Sequence, residues 1–153
     1  MIYLRESFDF INFEDDEFDD PTLKDLATAL CVSLETIFDR VKAENYYDFV
    51  HICAIMGEEQ DFSLSTNGPM TGVDFELKLY RDNDCEINWK ILNTAGEYRG
   101  KNIGRKVCDI FDRFREDNDL ELTMIGDDIS QGYWNKIKPE YPRINWKFDE
   151  VVY

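Results

Sequence analysis

Two neighbouring segments in the middle of the chain alternate apolar and polar side chains. Residues 73–80, VDFELKLY, and residues 85–92, CEINWKIL, both follow the two-residue period of a half-buried β-strand. Residues 81–84, RDND, lie between them and have the composition of a hairpin turn. This pattern predicts a β-hairpin at the centre of the chain, and the fold must therefore contain a sheet.

Other periodicities place helices and further strands around this hairpin. Asp20 is a suitable N-cap and Pro21 a suitable first residue for a helix, and apolar residues recur at helical spacing from Leu23 to Val41, which predicts a helix to about residue 43. The remaining expectations are strands at 46–56, 60–66 and 120–125, a helix at 103–116, a short helix at 129–137 and a final strand in 144–153. No repeat or linker interrupts the 153 residues, so we expect one domain, 1–153.

The charge balance restricts the partners of this protein. Lys and Arg number 17 and Asp and Glu number 33, a formal net charge of -16. This excess argues against binding to nucleic acid or to an anionic membrane, and it favours a basic partner or simply high solubility. Residues 1–20 form an acidic N-terminal segment with interleaved phenylalanines. We expect a solvated edge segment there, with a docking surface for a cationic target as the alternative.

Apolar runs, cysteines and histidine indicate the compartment of the protein and its capacity to bind a metal. No apolar run approaches the roughly 20 residues of a membrane span, and MIYLRESFDF lacks the regions of a signal peptide, so we expect a soluble, cytoplasmic protein. Cys31, Cys53, Cys85 and Cys108 form no CxxC pair, which favours buried thiols over two disulfides. His51 is the single histidine and lies in the apolar stretch FVHICAIM, so we expect a core histidine and no metal site.

The segment with the clearest chemical character is YRGKNIGRKV, residues 98–107, between a strand and an amphipathic helix. Gly100 and Gly104 allow a ligand to approach the backbone, and the helix N-terminus favours anions. Four cations lie within eight residues of an otherwise acidic chain: Arg99, Lys101, Arg105 and Lys106. This pattern suits a di- or triphosphate ester. Ordinary basic residues at a helix start are the alternative, and neither GxxxxGK[ST] nor GxGxxG is present.

These residues resemble the GNAT superfamily of acetyl-CoA-dependent N-acyltransferases, whose signature [QR]xxGx[GA] follows the fourth strand. RGKNIG at 99–104 matches it at Arg99 and Gly104, and Asn102 stands at the first fixed glycine. SQGYWNKI, at 130–137, resembles the short helix that carries a second family motif. The resemblance covers about residues 73–140. It implies a three-layer α-β-α fold with a mixed, mostly antiparallel sheet.

The resemblance also implies site residues for acetyl-CoA as cosubstrate, with no metal. The pyrophosphate would be held by Arg99, Gly100, Lys101, Asn102, Ile103, Gly104 and Arg105. Pantetheine would pair with the strand end at Leu92, Asn93 and Thr94, with Trp134 on the short helix nearby. Glu86 is the candidate base, ahead of Asp127 or Asp128. Trp134 stands where many members have the tyrosine that protonates the leaving thiolate, so Tyr133 is the candidate acid, with solvent or a weak enzyme as the alternatives.

The sequence therefore predicts an N-acetyltransferase that acts on a cationic amine or a protein lysine. One alternative is a non-catalytic acidic interaction or inhibitor protein on the same scaffold, including a mimic of nucleic acid. A second arises because residues 26–37, LATALCVSLETI, resemble a helix-turn-helix pattern. One long helix, or two abutting core helices, explains that segment better, since Glu35 and Asp39 are unsuited to a helix that approaches phosphates.

Overall fold

The computed structural model describes residues 8–11, 21–57, 71–81, 83–94, 101–128 and 133–150. Within these ranges seven strands form one sheet in the order β1-β2-β3-β4-β5-β6-β7. The strands are β1 (Phe8–Ile11), β2 (Arg40–Asn45), β3 (Val50–Ile55), β4 (Gly72–Arg81), β5 (Asp84–Asn93), β6 (Glu121–Asp128) and β7 (Asn145–Glu150). The helices are α1 (Pro21–Leu34), α2 (Ile103–Asp117) and α3 (Tyr133–Ile137), and a 3-10 turn follows at Lys138–Glu140.

The sheet is mixed. Its three central pairings, β2–β3, β3–β4 and β4–β5, are antiparallel. The outer pairings, β1–β2, β5–β6 and β6–β7, are parallel. The predicted α/β class and the central β4–β5 hairpin are therefore confirmed. The expectation of a mostly antiparallel sheet is wrong for the described strands, because β2, β6 and β7 each pair in parallel with the strand before them, from which a helix separates them.

All three described helices pack on the same face of the sheet. The ring of Trp89 on β5 contacts Phe111 of α2 and Trp134 of α3, with ring centroids 5.5 and 5.4 Å apart. Helices α1 and α2 lie in direct contact with each other. The predicted three-layer arrangement is thus not what the described part of the chain forms, since it has one helical layer and one sheet.

The two faces of the sheet differ because the strands alternate. In β2, Val41 and Ala43 are buried while their neighbours are half-buried. Phe75 and Leu77 of β4 point toward the helices in the same way. The buried side of α1 follows the predicted helical spacing: Leu23, Leu26, Ala27, Leu30 and Leu34. The apolar face is consequently covered by the helices, and the opposite face carries the polar side chains.

The first predicted helix is too long. Helix α1 ends at Leu34, and the chain enters β2 at Arg40. Val41 fits a helical spacing but also begins a two-residue alternation, and pairing with β1 and β3 decides in favour of the strand. The helix-turn-helix alternative is wrong as well, because the segment that would hold its second helix contains a turn and then β2.

Most other predicted elements are present with shifted ends. The predicted strand 46–56 begins at Val50, because residues 46–49 form the turn that joins it to β2. The helix at 103–116 is α2, the strand at 120–125 is β6, and the final strand is β7. The short helix begins at Tyr133, and residues 129–132 lie outside the described ranges. The predicted strand at 60–66 also lies outside them, as does the acidic segment 1–20 except for the backbone of β1.

The four cysteines are buried free thiols, as predicted. Burial raises the pKa of Cys53 and of Cys85 to about 12. Thiols with such a pKa are poor nucleophiles near neutral pH. These side chains therefore serve as small apolar groups of the core.

None of the helices in the described ranges combines the length and the apolar composition that a membrane crossing requires.

Among the glycines of the described strands, Gly72 leaves the least room for a side chain. A Cβ at this position would lie 2.3 Å from the carbonyl oxygen of Ala54, a backbone atom of the neighbouring strand. We predict that Gly72→Ala lowers the free energy of unfolding by about 1–3 kcal/mol, since overpacking must displace β3. Urea unfolding measures the loss. The exposed strand residue Lys147, changed to Ala, is the control. A loss at Gly72 no larger than at Lys147 would contradict the packing described here.

Candidate functional site

The basic segment 98–107 includes the N-terminus of α2. Lys101 and Asn102 are exposed, and the helix starts at Ile103. Asn102 adopts φ 56° and ψ 38°, and its side chain makes no capping hydrogen bond. The first N–H groups of a helix have no partner within the helix. A helix start of this kind is favourable for an anion. The left-handed backbone explains why glycine or asparagine is suitable at residue 102.

Arg105, in the first turn of α2, is held by an acid from a distant segment. Its guanidinium contacts Glu140 of the 3-10 turn, with Nε 3.1 Å from both carboxylate oxygens and a terminal nitrogen 3.0 Å from Oε2. Both side chains are more than 40% exposed. An exposed pair of this kind contributes little to stability. Arg105 could therefore exchange Glu140 for a stronger anion at small cost.

Tyr141 fixes the same helix turn to the segment after α3. Its hydroxyl donates to Asp109 at 2.5 Å and lies 3.0 Å from the carbonyl oxygen of Arg105. Burial, and then the bond to Asp109, raises the pKa of Tyr141. The hydroxyl thus keeps its proton at all ordinary pH values. This contact holds the beginning of α2 against the chain that leads into β7.

Strand β5 remains paired with β4 but separates from β6 halfway along. The β5–β6 pairing ends at Asn88 and Ile125, although β5 continues to Asn93 and β6 to Asp128. The register between β4 and β5 shifts just beyond this point, which leaves Lys90 as the extra residue of a β-bulge. A bulge bends and twists its strand. The carboxyl end of β5, which leads to the basic loop, is therefore not paired with β6.

Trp89 lies at the point of separation. It is 8% exposed, and its indole Nε1 has no hydrogen-bond partner within the described part of the chain. Buried N–H groups are nearly always bonded, so this one could donate to an acceptor from a ligand. Opposite it, a Cβ on Gly126 would lie 3.0 Å from the Trp89 Cβ and 3.1 Å from the ring of Phe148. Any larger residue at Gly126 would have to push these groups apart.

The sequence-predicted site residues fall into three groups. Leu92 and Asn93 are the last residues of β5 and Thr94 follows them, and Lys101 to Arg105 lie at the start of α2. Trp134 is 6% exposed and packs within a cluster of aromatic rings, against Trp89, Trp146 and Phe148. Tyr133 is the first residue of α3, and its side chain, like Arg99 and Gly100, lies outside what the structure describes.

Glu86 lies two residues before the point where β5 separates from β6. At about 3.3 Å per residue it is about 7 Å along the strand from Asn88. Its side chain is on the polar face of the sheet, where Oε1 accepts a hydrogen bond from the hydroxyl of Tyr80 at 3.2 Å. Residues 86 and 93 are about 23 Å apart along β5. The structure therefore places Glu86 near the separation and far from the basic loop.

His51 is not in the core, contrary to expectation. It lies on the polar face with its side chain 30% exposed, and its Nε2 is hydrogen-bonded to Asp74 of the adjacent strand. That bond is the main cause that raises the pKa of His51, and burial opposes it. The apolar run FVHICAIM suggested burial, but alternation along β3 turns His51 away from the helices.

Sequence reasoning missed Trp89, Gly126 and Glu140. Each depends on a neighbour far away in the chain, so no local pattern identified it. The bulge at Lys90 was equally invisible, since the alternation in CEINWKIL appears regular. In the described ranges no group of three or more His, Cys, Asp or Glu side chains is arranged to hold a metal ion.

Comparison of the chain with protein-family models, with curated proteins and with solved structures finds no match in any of the three. The interpretation of this site therefore depends on its own residues and geometry.

The His51–Asp74 pair predicts a pH dependence of stability. A histidine pKa raised above its ordinary value of 6.5 gives stability that is full below that value and is lost as pH rises through the folded-state pKa. We expect His51→Gln to cost about 1 kcal/mol at about pH 6 and less at about pH 9, since the pair is partly exposed. Urea unfolding at both pH values measures this cost. Asp74→Asn should remove the same dependence, and an equal cost of His51→Gln at both pH values would contradict the assignment.

Proposed function

We propose that this protein is a GNAT-like N-acetyltransferase that transfers the acetyl group of acetyl-CoA to a cationic amine or a protein lysine. The observation that carries the proposal is the separation of β5 from β6 beyond Asn88 and Ile125. It leaves a strand end without a parallel partner immediately before the basic loop. An extended amide-containing ligand could pair with that strand end and reach the start of α2.

The residues present fit acetyl-CoA in three respects. The backbone from Trp89 to Asn93 offers hydrogen-bonding groups on the side that β6 has left. The buried indole N–H of Trp89 has no acceptor among the residues that the structure describes, and a carbonyl of the ligand could supply one. The N-terminus of α2 and its basic residues suit a pyrophosphate. Asn102 has a positive φ, a conformation that glycine adopts easily. Asparagine in place of the glycine of the family signature is therefore compatible with the same backbone conformation.

Acetyl-CoA, when bound, supplies an activated thioester carbonyl to the acceptor amine. The chain must orient the amine and accept its proton, because only a neutral amine is a nucleophile. Glu86 is suitable by position, since the hydroxyl of Tyr80 holds its carboxylate on the polar face close to the separation of the strands. We assign the proton donor for the leaving sulfur to Tyr133, since the indole N–H of Trp134 donates hydrogen bonds but is too weak an acid to protonate a thiolate.

The charge of the chain supports a cationic acceptor. A net charge of -16 attracts amines and lysine-rich segments over distances comparable to the Debye length. Acetylation removes the positive charge from the acceptor. The product would then be attracted less strongly than the substrate, which favours its release.

Binding of acetyl-CoA is the first test. We predict heat on calorimetric titration, and weakening by about tenfold in Arg99→Ala and in Arg105→Ala, since each loses a charged hydrogen bond. Arg113→Ala, an exposed change eight residues further along α2, is the matched control and should bind normally. Glu140→Gln should tighten binding by up to about fivefold, because it removes the carboxylate charge that competes with the ligand for the Arg105 guanidinium.

The titration distinguishes a specific acetyl-CoA site at the start of α2 from no binding and from unspecific charge attraction. Absence of both heat and thermal stabilisation would end the acetyltransferase proposal. Equal weakening by Arg113→Ala and Arg105→Ala would show an unspecific charge effect in place of a site at the helix start.

Transfer is a separate test. We predict that Glu86→Gln lowers kcat by about a hundredfold while acetyl-CoA binds unchanged, because a general base acts on the acceptor only. Mass spectrometry of a lysine-containing peptide after incubation with acetyl-CoA measures the reaction. Glu116→Gln, an exposed change of equal charge on α2, should retain the wild-type rate. Full activity in Glu86→Gln would remove Glu86 from the mechanism.

A second candidate function is a non-catalytic acidic interaction or inhibitor protein on the same scaffold. The ion pair between Arg105 and Glu140 favours this second function, since a carboxylate of the chain already neutralises the guanidinium that would bind the pyrophosphate. Under this reading Glu140→Gln would create no affinity for acetyl-CoA, and the wild type would bind none.

A further inference from the structure

The tip of the sheet at the β2–β3 turn carries an exposed aromatic cluster. In the described ranges the large apolar side chains classed as exposed are Tyr46, Tyr47 and Tyr80, at 40%, 73% and 56%. Tyr46 stacks on Phe49 across the turn, with ring centroids 4.7 Å apart. Tyr80 is the extra residue of a second bulge, at the end of β4. Clustered exposed apolar side chains on a soluble surface are typical of binding sites.

Carboxylates are fixed beside these rings. The hydroxyl of Tyr46 donates to Glu44 Oε2 at 2.7 Å, and that of Tyr80 donates to Glu86 Oε1 at 3.2 Å. Each bond orients a carboxylate at this surface, and the second oxygen of Glu44, Oε1, already lies 3.3 Å from the ammonium group of Lys42. We call these six residues the hairpin patch: Glu44, Tyr46, Tyr47, Phe49, Tyr80 and Glu86.

One cation of the chain already lies in this patch. The ammonium group of Lys78 is 5.9 Å from the centre of the Phe49 ring, and Lys78 is the register partner of Glu86 on β5. A cation over an aromatic face, with a carboxylate alongside, is a favourable arrangement. The contact shows that the face of the Phe49 ring accepts an alkyl ammonium group.

We propose that the hairpin patch docks a lysine- or arginine-rich peptide segment of a partner protein. Exposed rings and oriented carboxylates together match an alkyl cation, and the net charge of -16 attracts such a segment and repels nucleic acid. The patch extends from β2 to β5, about 14 Å at 4.8 Å per strand, which is the length of about four extended residues. The inference stands whether or not the chain is an acetyltransferase.

Fluorescence anisotropy with a labelled oligolysine of about eight residues tests the proposal directly. We expect the double variant Tyr47→Ala, Tyr80→Ala to bind about tenfold more weakly than the wild type, from the loss of two cation–aromatic contacts. The double variant Tyr47→Phe, Tyr80→Phe keeps both rings and should retain most of the affinity. If the alanine variant binds as tightly as the wild type, or if the wild type binds no oligolysine, the proposal is overturned.

Charge variants separate docking from general attraction. Glu44→Gln should weaken binding severalfold, whereas Glu116→Gln, the same charge change on α2, should have little effect. Lys78→Gln should strengthen binding more than Lys106→Gln does, because it removes a competing ammonium from the patch. Equal effects within each pair would show unspecific attraction and overturn the proposal.

Sedimentation velocity tests whether the hairpin patch instead binds a second copy of the chain. The proposal expects the wild type to be monomeric at micromolar concentration. A dimer that Tyr47→Ala dissociates would assign the patch to self-association instead, and so would contradict it.

Discussion

The partial pairing of β5 is the constraint on which the rest of this structure depends. A central strand normally has both edges bonded over its whole length, since unpaired backbone groups are costly. Here β4 satisfies one edge to the end of β5, while β6 satisfies the other only as far as Asn88. The bulge at Lys90 provides the bend. The strand that leads into the basic loop thereby has an edge that β6 has left, and beside it lies an indole N–H for which the described part of the chain holds no acceptor.

The helices that pack on the apolar face of the sheet stabilise this arrangement. Phe75, Trp89 and Phe111 form edge-on ring contacts beneath α2, with centroids 5.2–6.1 Å apart. Trp134 continues the cluster toward β7. Because all described helices cover one face, the opposite face keeps its polar side chains half-exposed. The His51–Asp74 pair and Glu86 lie on that opposite face, and the hairpin patch lies at the end of the sheet where Tyr46, Tyr47 and Tyr80 are exposed.

Local periodicity predicted the parts of the fold that depend on neighbours in sequence. The alternation of VDFELKLY and CEINWKIL identified β4 and β5, and the apolar spacing after Ile103 identified α2. It erred where two periods overlap, since Val41 and Ala43 fit a helix until strand pairing is known. It placed His51 in the core because an apolar run does not reveal which face each residue takes. Contacts such as Arg105–Glu140, 35 residues apart, were beyond any local pattern.

Hydrogen–deuterium exchange with and without acetyl-CoA tests the central claim most directly. If the free edge of β5 holds the ligand, peptides that cover residues 89–93 and 101–105 should exchange more slowly when acetyl-CoA is present, while the turn at 46–49 should not change. Unchanged exchange at 89–93 under saturating acetyl-CoA would contradict the account, because the unpaired strand end would then have no part in binding.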